Sequence, residues 1–293
     1  MAGWTLPTFL LAAALGAPAP TPMVPVECDR NDVHLSAAAV AQGGVALLEV
    51  GTRGAAPVAT WQAKPLHFWR DDPQGPWRAF VGVDLKQRPG EARVTLKSAP
   101  DAACTVALSV KPVDFPEERI QVPKRFVELN ARDRSRAARE ASRLAALFRT
   151  LTGQRLWAGP FRLPLEGVRP SSSFGRRRIV NGQPRSPHTG VDLGAPAGTP
   201  VHAMQRGRVV LDESLFFSGR TIVLDHGLGL FSLYGHLSES RVRPGGVVDA
   251  DDVIGLVGTT GRSTAPHLHW AVRLGDARVD GLDLVSLTSE PAP

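Results

Sequence analysis

Short apolar segments, separated by clusters of glycine, proline and aspartate, run through most of this chain and limit what it can fold into. Cys104, Val106, Leu108 and Val110 occupy alternate positions, and residues 45–50 form a continuous apolar run. Alternation with a period of two is typical of a half-buried β-strand, and the glycine and proline clusters indicate turns. The pattern predicts an all-β protein whose sheets are mainly antiparallel.

A chain of 293 residues is long enough for two domains. Residues 20–125 carry further strand candidates at 77–85 and 92–96, and both cysteines of the chain, Cys28 and Cys104, lie in this part. In an exported protein a cysteine pair is typical of a disulfide, with two unrelated buried thiols as the alternative. Short strands joined by one disulfide indicate an immunoglobulin-like β-sandwich.

Residues 1–19 have the features of a signal peptide. The apolar stretch at residues 4–16 is about 13 residues long, shorter than the roughly 20 residues of a membrane-spanning helix. Small residues at Ala17 and Ala19 match a cleavage pattern, so we expect an exported protein of the periplasm or cell envelope, or a secreted one. No later segment is apolar enough to predict a transmembrane span.

The net charge of +6 is carried mainly by arginine and is spread along the chain. Nucleic-acid-binding proteins usually concentrate positive charge in one patch or stripe, so we predict no nucleic-acid partner. The densest basic run, three arginines at residues 176–178, has no interleaved aromatic residues. It indicates either solvated surface arginines or attraction to a polyanionic cell envelope.

One helical pattern interrupts the β-rich sequence. Asn130 can cap a helix and Gly153 can end it. Between them an apolar stripe recurs at helical spacing, formed by Ala137, Ala141, Leu144, Phe148 and Leu151. We predict that residues 126–158 form a helical connector, which leads into a second β-rich domain at residues 159–287.

The second domain has many glycines and several strand candidates, at 207–211, 220–225, 230–234 and 267–274. No long helical pattern appears in it, so a β-sheet domain is predicted. Residues 242–257 resemble the hairpin of biotinyl/lipoyl-type swivelling barrels, a feature that bears on fold more than on function.

Three short clusters in this domain contain four of the chain's eight histidines, namely HTGVD from His188, YGHL around His236 and HLH at residues 267–269. Side chains two positions apart on a strand share a face, which would place a metal ligand beside a proton-transfer group in HLH. His188 and Asp192 are four apart, and the surrounding glycines and prolines favour a loop entering a strand over a helix.

Taken together, two histidines and one aspartate make a three-ligand set suited to catalytic zinc, which keeps its fourth position for water. His236 and His267 are then left over, and each could do acid–base work near neutral pH. Five such groups in one glycine-rich β domain are difficult to explain as core filling.

The motifs HTGVD, YGHL and GRSTAPHLHW, in this order and at this separation, closely resemble those of the lysostaphin/LytM-type zinc metalloendopeptidases. The resemblance covers roughly residues 160–285 and implies an antiparallel sheet with the active site in an open groove. It implies one Zn²⁺ per chain, with ligands His188, Asp192 and His269, and a catalytic pair formed by His236 and His267. We expect the chain to be a monomer.

This family resemblance predicts hydrolysis of the peptide cross-links of bacterial peptidoglycan, with the stem peptides as the partner. His267 would take a proton from the attacking water, and His236 would stabilise the oxyanion or protonate the leaving amine. Some members carry a tyrosine shortly before the first ligand histidine. Residues 181–187 contain none, and Tyr234 is the only tyrosine, so another group must assist the electrophile.

Two alternatives belong to other functional classes. A non-catalytic relative that binds or activates another cell-wall hydrolase would typically have lost ligands, whereas this chain keeps all five positions. A swivelling-barrel carrier would need an acceptor lysine in its hairpin, and no lysine follows Lys124.

Overall fold

The computed structural model describes residues 24–26, 32–99 and 102–289. The predicted signal peptide, residues 1–19, lies outside the described residues, and so does Cys28, one partner of the predicted disulfide. The described chain consists mainly of strands in antiparallel sheets. This confirms the prediction of an all-β fold class.

The first part of the chain is a two-sheet structure. Its strands are β1 (Val24–Val26), β2 (Asp32–Leu35), β3 (Ala39–Ala41), β4 (Val45–Gly51), β5 (Val58–Trp61), β6 (Lys64–Pro65), β7 (Trp77–Gly82), β8 (Gly90–Ala99) and β9 (Ala102–Lys111). One sheet has the order β1-β2-β4-β7 and the other the order β3-β9-β8-β5-β6. Leu48 and Val50 of the first sheet share one core with Leu96 and Leu108 of the second. Two sheets packed in this way form a β-sandwich, whose immunoglobulin-like character stays a prediction.

The helix α1 (Ala131–Leu147) follows the sandwich, and the side chain of Asn130 caps it as predicted. It ends before Gly153, the predicted end, because Phe148 is buried against Phe231 and the chain turns there. Through this contact α1 packs on the sheet of the second part. Within the described ranges, no helix combines the length and the apolar character needed to cross a membrane.

The second part of the chain is a larger β structure. Its strands are β10 (Glu117–Ile120), which precedes α1, and then β11 (Pro170–Ser172), β12 (Arg177–Val180), β13 (Gln183–Pro184), β14 (Val191–Gly194), β15 (Pro200–His202), β16 (Gly207–Leu215), β17 (Gly219–Gly227), β18 (Leu230–Leu237), β19 (Glu239–Ser240), β20 (Val247–Val248), β21 (Val253–Leu256), β22 (His267–Leu274) and β23 (Ala277–Val279). The helix α2 (Gly281–Thr288) follows β23. The main sheet has the order β11-β14-β22-β18-β17-β16-β20, with β23 paired to β22.

Residues 242–257 differ from the predicted hairpin. The two strands in this segment have different partners, since β20 pairs with β16 while β21 pairs with β15 and β19. Immediately before β20, the backbones of Gly245 and Gly246 bond to the backbone of Val209 in β16. Because β20 pairs with β16 at the edge of the main sheet, β20 and β21 do not form a hairpin with each other.

The sandwich and the second part share one apolar core. Trp69 and Phe80 of the sandwich pack against Trp157 and Phe161, which follow α1, and the ring centroids of Trp69 and Trp157 are 5.3 Å apart. This contact explains why Trp157 and Phe161 are buried although the segment that carries them forms no strand. The two parts are packed together rather than tethered.

The sandwich contacts β22 at the end that is far from the histidine cluster. A Cβ atom added to Gly82 would lie 3.1 Å from Leu274, the last residue of β22, whereas His267 is its first. A strand of eight residues spans roughly 25 Å. Along β22, this contact and His267 therefore lie at opposite ends of the strand.

Candidate metal centre

The central strands of the main sheet bring the three histidine clusters together. β14 and β22 are antiparallel neighbours, and their register places Asp192 directly opposite His269. On its other side β22 pairs with β18, where Gly235, the residue before His236, also lies opposite His269. Clusters that are far apart in sequence therefore meet at one end of the sheet.

His188 lies in the loop that enters β14. Its backbone N–H donates to the carbonyl of Arg176, and its own carbonyl accepts from the N–H of Gly175. A Cβ atom on Gly190 would lie 2.8 Å from the ring of His269, so only glycine permits this close approach of the loop to β22. The glycine within HTGVD thus brings the first histidine to the site.

Three ligand atoms converge at this end of the sheet. Nε2 of His188 lies 2.9 Å from Oδ1 of Asp192 and 3.0 Å from Nδ1 of His269, and the latter two atoms are 2.7 Å apart. Ligand atoms around tetrahedral zinc, with bonds of about 2.0–2.1 Å, lie about 3.3 Å apart. Two imidazole nitrogens and a carboxylate oxygen are a suitable donor set for zinc. Their spacing also fits once the three atoms move apart by a few tenths of an ångström.

A second hydrogen bond orients each of two ligands. Nδ1 of His188 lies 3.0 Å from the backbone carbonyl of Ser173, and because a carbonyl only accepts, Nδ1 carries the hydrogen and Nε2 presents its lone pair. Oδ2 of Asp192 accepts from Nη2 of Arg178 at 2.8 Å. Such second contacts fix the tautomer and direction of metal ligands.

The protonation states at the centre suit a cation. Burial alone would raise the pKa of Asp192, but the neighbouring imidazoles of His188 and His269 outweigh it and hold that pKa well below its usual range. Burial lowers the pKa of His269 to about 4, although Asp192 opposes the shift. At neutral pH the site therefore offers a carboxylate and a neutral imidazole, the forms that bind metal.

Two further imidazoles stand beside this set, with the ring centroids of His236 and His267 4.7 Å apart. Each donates its Nδ1 hydrogen to a backbone carbonyl, His236 to Thr260 at 2.7 Å and His267 to Ala265 at 2.8 Å. In both rings Nε2 is therefore the basic atom. Nε2 of His267 lies 3.8 Å from Oδ1 of Asp192, close to the ligand set but outside hydrogen-bonding distance.

His236 has an unusual backbone conformation. Its φ of 63° lies in the left-handed region, which costs a non-glycine residue on the order of 1 kcal/mol or more and often marks functional sites. Burial lowers the pKa of His236 to about 3, and the charges of His269 and His267 add to the effect. The ring is therefore neutral at neutral pH.

The other polar groups of the domain interior belong to the core. Tyr234 is fully buried, and its hydroxyl accepts from the backbone N–H of Met204 at 3.0 Å, so the tyrosine does not face the metal centre. Ser232 bonds both to this hydroxyl and to Nε2 of the buried His226, at 3.0 and 2.7 Å. These contacts give His226 a structural role.

Two groups at the site went unnoticed in the sequence. Arg178 appeared only as part of a basic run, and Glu118 carried no signal at all, yet Glu118 bonds to Arg178 and Arg178 bonds to Asp192. A charged residue two positions before the end of a short strand is a weak local signal. Only the parallel pairing of β10 with β12 brings Glu118 to the site.

Comparison with known proteins identifies two family models that match parts of the chain. The model of peptidase family M23 matches residues 186–281, and the model of the peptidase family M23 N-terminal domain matches residues 39–111. A crystal structure assigned to peptidase M23 from Pseudomonas aeruginosa is similar with a TM-score of 0.68 and 32% identity, covering 84% of this chain and 95% of that chain.

Curated relatives match over shorter stretches. DD-carboxypeptidase/endopeptidase Mpg of Neisseria meningitidis is 38% identical over 43% of this chain and 29% of its own length. Peptidoglycan DD-endopeptidase ShyA of Vibrio cholerae is 41% identical over 34% of this chain and 24% of its own. The chain thus spans less than a third of the length of these relatives. From the two family models and a structural match that covers 84% of its length, the chain belongs to peptidase family M23.

Proposed function

We propose that this chain is a zinc-dependent metalloendopeptidase that hydrolyses peptide cross-links of bacterial peptidoglycan. The observation that carries the proposal is the convergence of His188, Asp192 and His269, with ligand atoms no more than 3.0 Å apart, beside two more imidazoles. Polar groups lose hydration when they are buried, so a packed core gains nothing from collecting five of them.

In this proposal His188 and His269 supply nitrogen ligands to one Zn²⁺ and Asp192 supplies an oxygen ligand. The ion would provide Lewis-acid polarisation of the scissile carbonyl and a lowered pKa for water at the site. The deep burial of His188 and Asp192 excludes bulk solvent from one side of the ligand set. The two strands that carry Asp192 and His269 make the spacing of the set rigid.

His267 is the first proton acceptor in this mechanism. Its Nδ1 hydrogen is held by Ala265, so the lone pair of Nε2 faces the ligand set, 3.8 Å from Asp192. The proton taken from the attacking water can then pass to the leaving amine, which restores the neutral ring.

His236 starts in the same tautomer, with Nδ1–H bonded to Thr260. A neutral ring in this tautomer has no hydrogen on Nε2, so it orients the attacking water by accepting a hydrogen bond. It can donate to an oxyanion only after it has been protonated. We therefore assign His236 to orientation of the nucleophile first, and to the amine or oxyanion only later in the cycle.

The proposed substrate class rests on the relatives. One is named for DD-carboxypeptidase and endopeptidase activity and the other for DD-endopeptidase activity on peptidoglycan. Peptidoglycan lies outside the cytoplasmic membrane, so the proposal includes export into the periplasm or cell envelope after removal of residues 1–19. It also divides the chain into a sandwich (20–125), a helical connector (126–158) and a peptidase domain (159–287).

Digestion of purified sacculi tests this function. Full-length protein loaded with zinc is expected to release peptides whose new amino and carboxyl termini, identified by mass spectrometry, lie at the cross-link. His267→Ala is the matched inactive control, because it leaves the proposed ligands in place. A zinc-loaded wild-type protein that releases no new termini from sacculi or from isolated cross-linked peptides would contradict the proposal.

A further inference from the structure

Arg178 lies between two carboxylates. Its Nη2 donates to Oδ2 of Asp192 at 2.8 Å, and its Nε donates to Oε2 of Glu118 at 3.0 Å. The side chains of Arg178 and Glu118 are each 16% exposed and that of Asp192 is 10% exposed. Because solvent screens these pairs less than it screens surface pairs, they constrain geometry more strongly than exposed ion pairs do.

Glu118 reaches this position through the segment that leaves the sandwich, residues 113–120, which we call the β10 strap. The backbone N–H of Val113 donates to the side chain of Gln42 in the sandwich at 3.1 Å. Further along, β10 runs parallel to β12 and places Glu118 opposite Arg178. The strap is therefore tied to the sandwich at one end and to the peptidase domain at the other.

The carboxylate of Asp192 uses its two oxygens for different contacts. Oδ1 lies 2.9 Å from Nε2 of His188 and 2.7 Å from Nδ1 of His269, whereas Oδ2 bonds to Arg178. A carboxylate rotates as one unit about its bond to Cβ, so a fixed partner on Oδ2 determines where Oδ1 points. Outer partners of this kind tune metal affinity.

We propose that Arg178 is a positioning residue for the metal ligand Asp192, and that Glu118 of the β10 strap holds Arg178 in place. The affinity of the centre for zinc then depends on a contact made by the segment that leaves the sandwich. This inference rests on the zinc site of the proposed function. It adds that the segment leaving the sandwich supports the metal centre through the strap.

The chemistry of the arginine side chain suits this role. Its planar group presents Nε and Nη2 in a fixed relation, so one side chain holds two carboxylates at a set angle, which a lysine with one nitrogen cannot do. The positive charge acts in the opposite direction, since a guanidinium close to the centre repels a cation. Loss of positioning weakens zinc binding, whereas loss of charge alone would strengthen it, and the two effects can be separated.

Zinc affinity of the full-length protein, measured by competition with a chelator, tests the proposal. Arg178→Lys keeps the charge and loses the two-nitrogen geometry, so its dissociation constant is expected to rise about tenfold or more. Glu118→Gln is expected to raise it by a smaller factor. Glu117→Gln is the matched control, because Glu117 is adjacent, pairs with Arg119 and is 37% exposed, and its zinc affinity should equal that of wild type.

The double variant Arg178→Lys/Glu118→Gln is expected to bind zinc no more weakly than Arg178→Lys, because Glu118 acts through Arg178. The melting temperature of each metal-free variant shows whether it is folded, and if Arg178→Lys does not fold, Glu118→Gln decides the question. Unchanged affinity in the folded variants, or fully additive losses in the double variant, would overturn the inference alone. Absence of zinc binding by wild type would overturn the proposed function and this inference with it.

Discussion

Asp192 and His269 face each other across the β14–β22 pair, with Oδ1 and Nδ1 2.7 Å apart. Two residues earlier on the same face of β22, His267 is next to this pair but does not bond to it, since its Nε2 is 3.8 Å from the same oxygen. The proposed ligand His269 and the proposed proton acceptor His267 are therefore neighbours on one face of β22, two residues apart. The HLH motif thus places a ligand and a proton acceptor side by side at the metal centre.

Replacement of His236 tests the second proposed catalytic histidine. His236→Asn is the better variant, because asparagine tolerates the positive φ of 63° found there and keeps the chain folded. Loss of a group that orients the nucleophile and transfers a proton is expected to lower kcat about 10²- to 10⁴-fold while zinc stays bound. Wild-type turnover of His236→Asn on cross-linked peptides at neutral pH would remove His236 from the mechanism.

Because the sandwich packs on the peptidase domain, a substitution in their common core is expected to destabilise the whole chain. Phe80 is 8% exposed, and its ring centroid is 4.7 Å from that of Trp69 and 6.1 Å from that of Trp157. Phe80→Ala should lower the free energy of unfolding, measured by chemical denaturation, by about 3–5 kcal/mol. Val58→Ala is the control, since Val58 is 62% exposed. A loss as small as that of the control would show that this contact does not form in solution.

Buried His226 predicts a dependence of stability on pH. Burial lowers its pKa in the folded protein to about 4, from 6.5 in the unfolded chain. Between these values the unfolded chain binds more protons, so stability is expected to fall as the pH drops from 6.5 to about 4, by up to about 3 kcal/mol for this group. The difference in the pH dependence of unfolding free energy between wild type and a folded His226→Gln variant gives the contribution of His226. A variant with the same pH slope as wild type would assign the loss to other groups.

The sequence predicted the elements whose signals are local. The alternation in HLHWAVRL predicted a strand at 267–274, which is the observed extent of β22, and the capping side chain of Asn130 was placed correctly. The spacings within HTGVD and HLH are local too. They therefore allowed His188 and Asp192 to be assigned to a loop that enters a strand, and His267 and His269 to one face of another strand.

Contacts between distant segments were beyond reach of local patterns. Glu118 meets Arg178 only because β10 pairs with β12, and no periodicity in either segment indicates the other. Likewise, a buried tryptophan such as Trp69 has the same signature whether it packs in its own sandwich or against Trp157 of another domain. The hairpin predicted at 242–257 does not form for the same reason, because β20 pairs with the distant strand β16.

The ligand and the proton acceptor on β22 are distinguished most directly by the zinc content of two variants, His269→Ala and His267→Ala, measured together with their turnover of cross-linked peptides. Wild type should carry one zinc per chain. We predict that His269→Ala loses both the metal and activity, whereas His267→Ala keeps the metal and loses turnover. Equal loss of zinc in both variants, or full zinc content in His269→Ala, would contradict the assignment of ligand and proton acceptor on which the account depends.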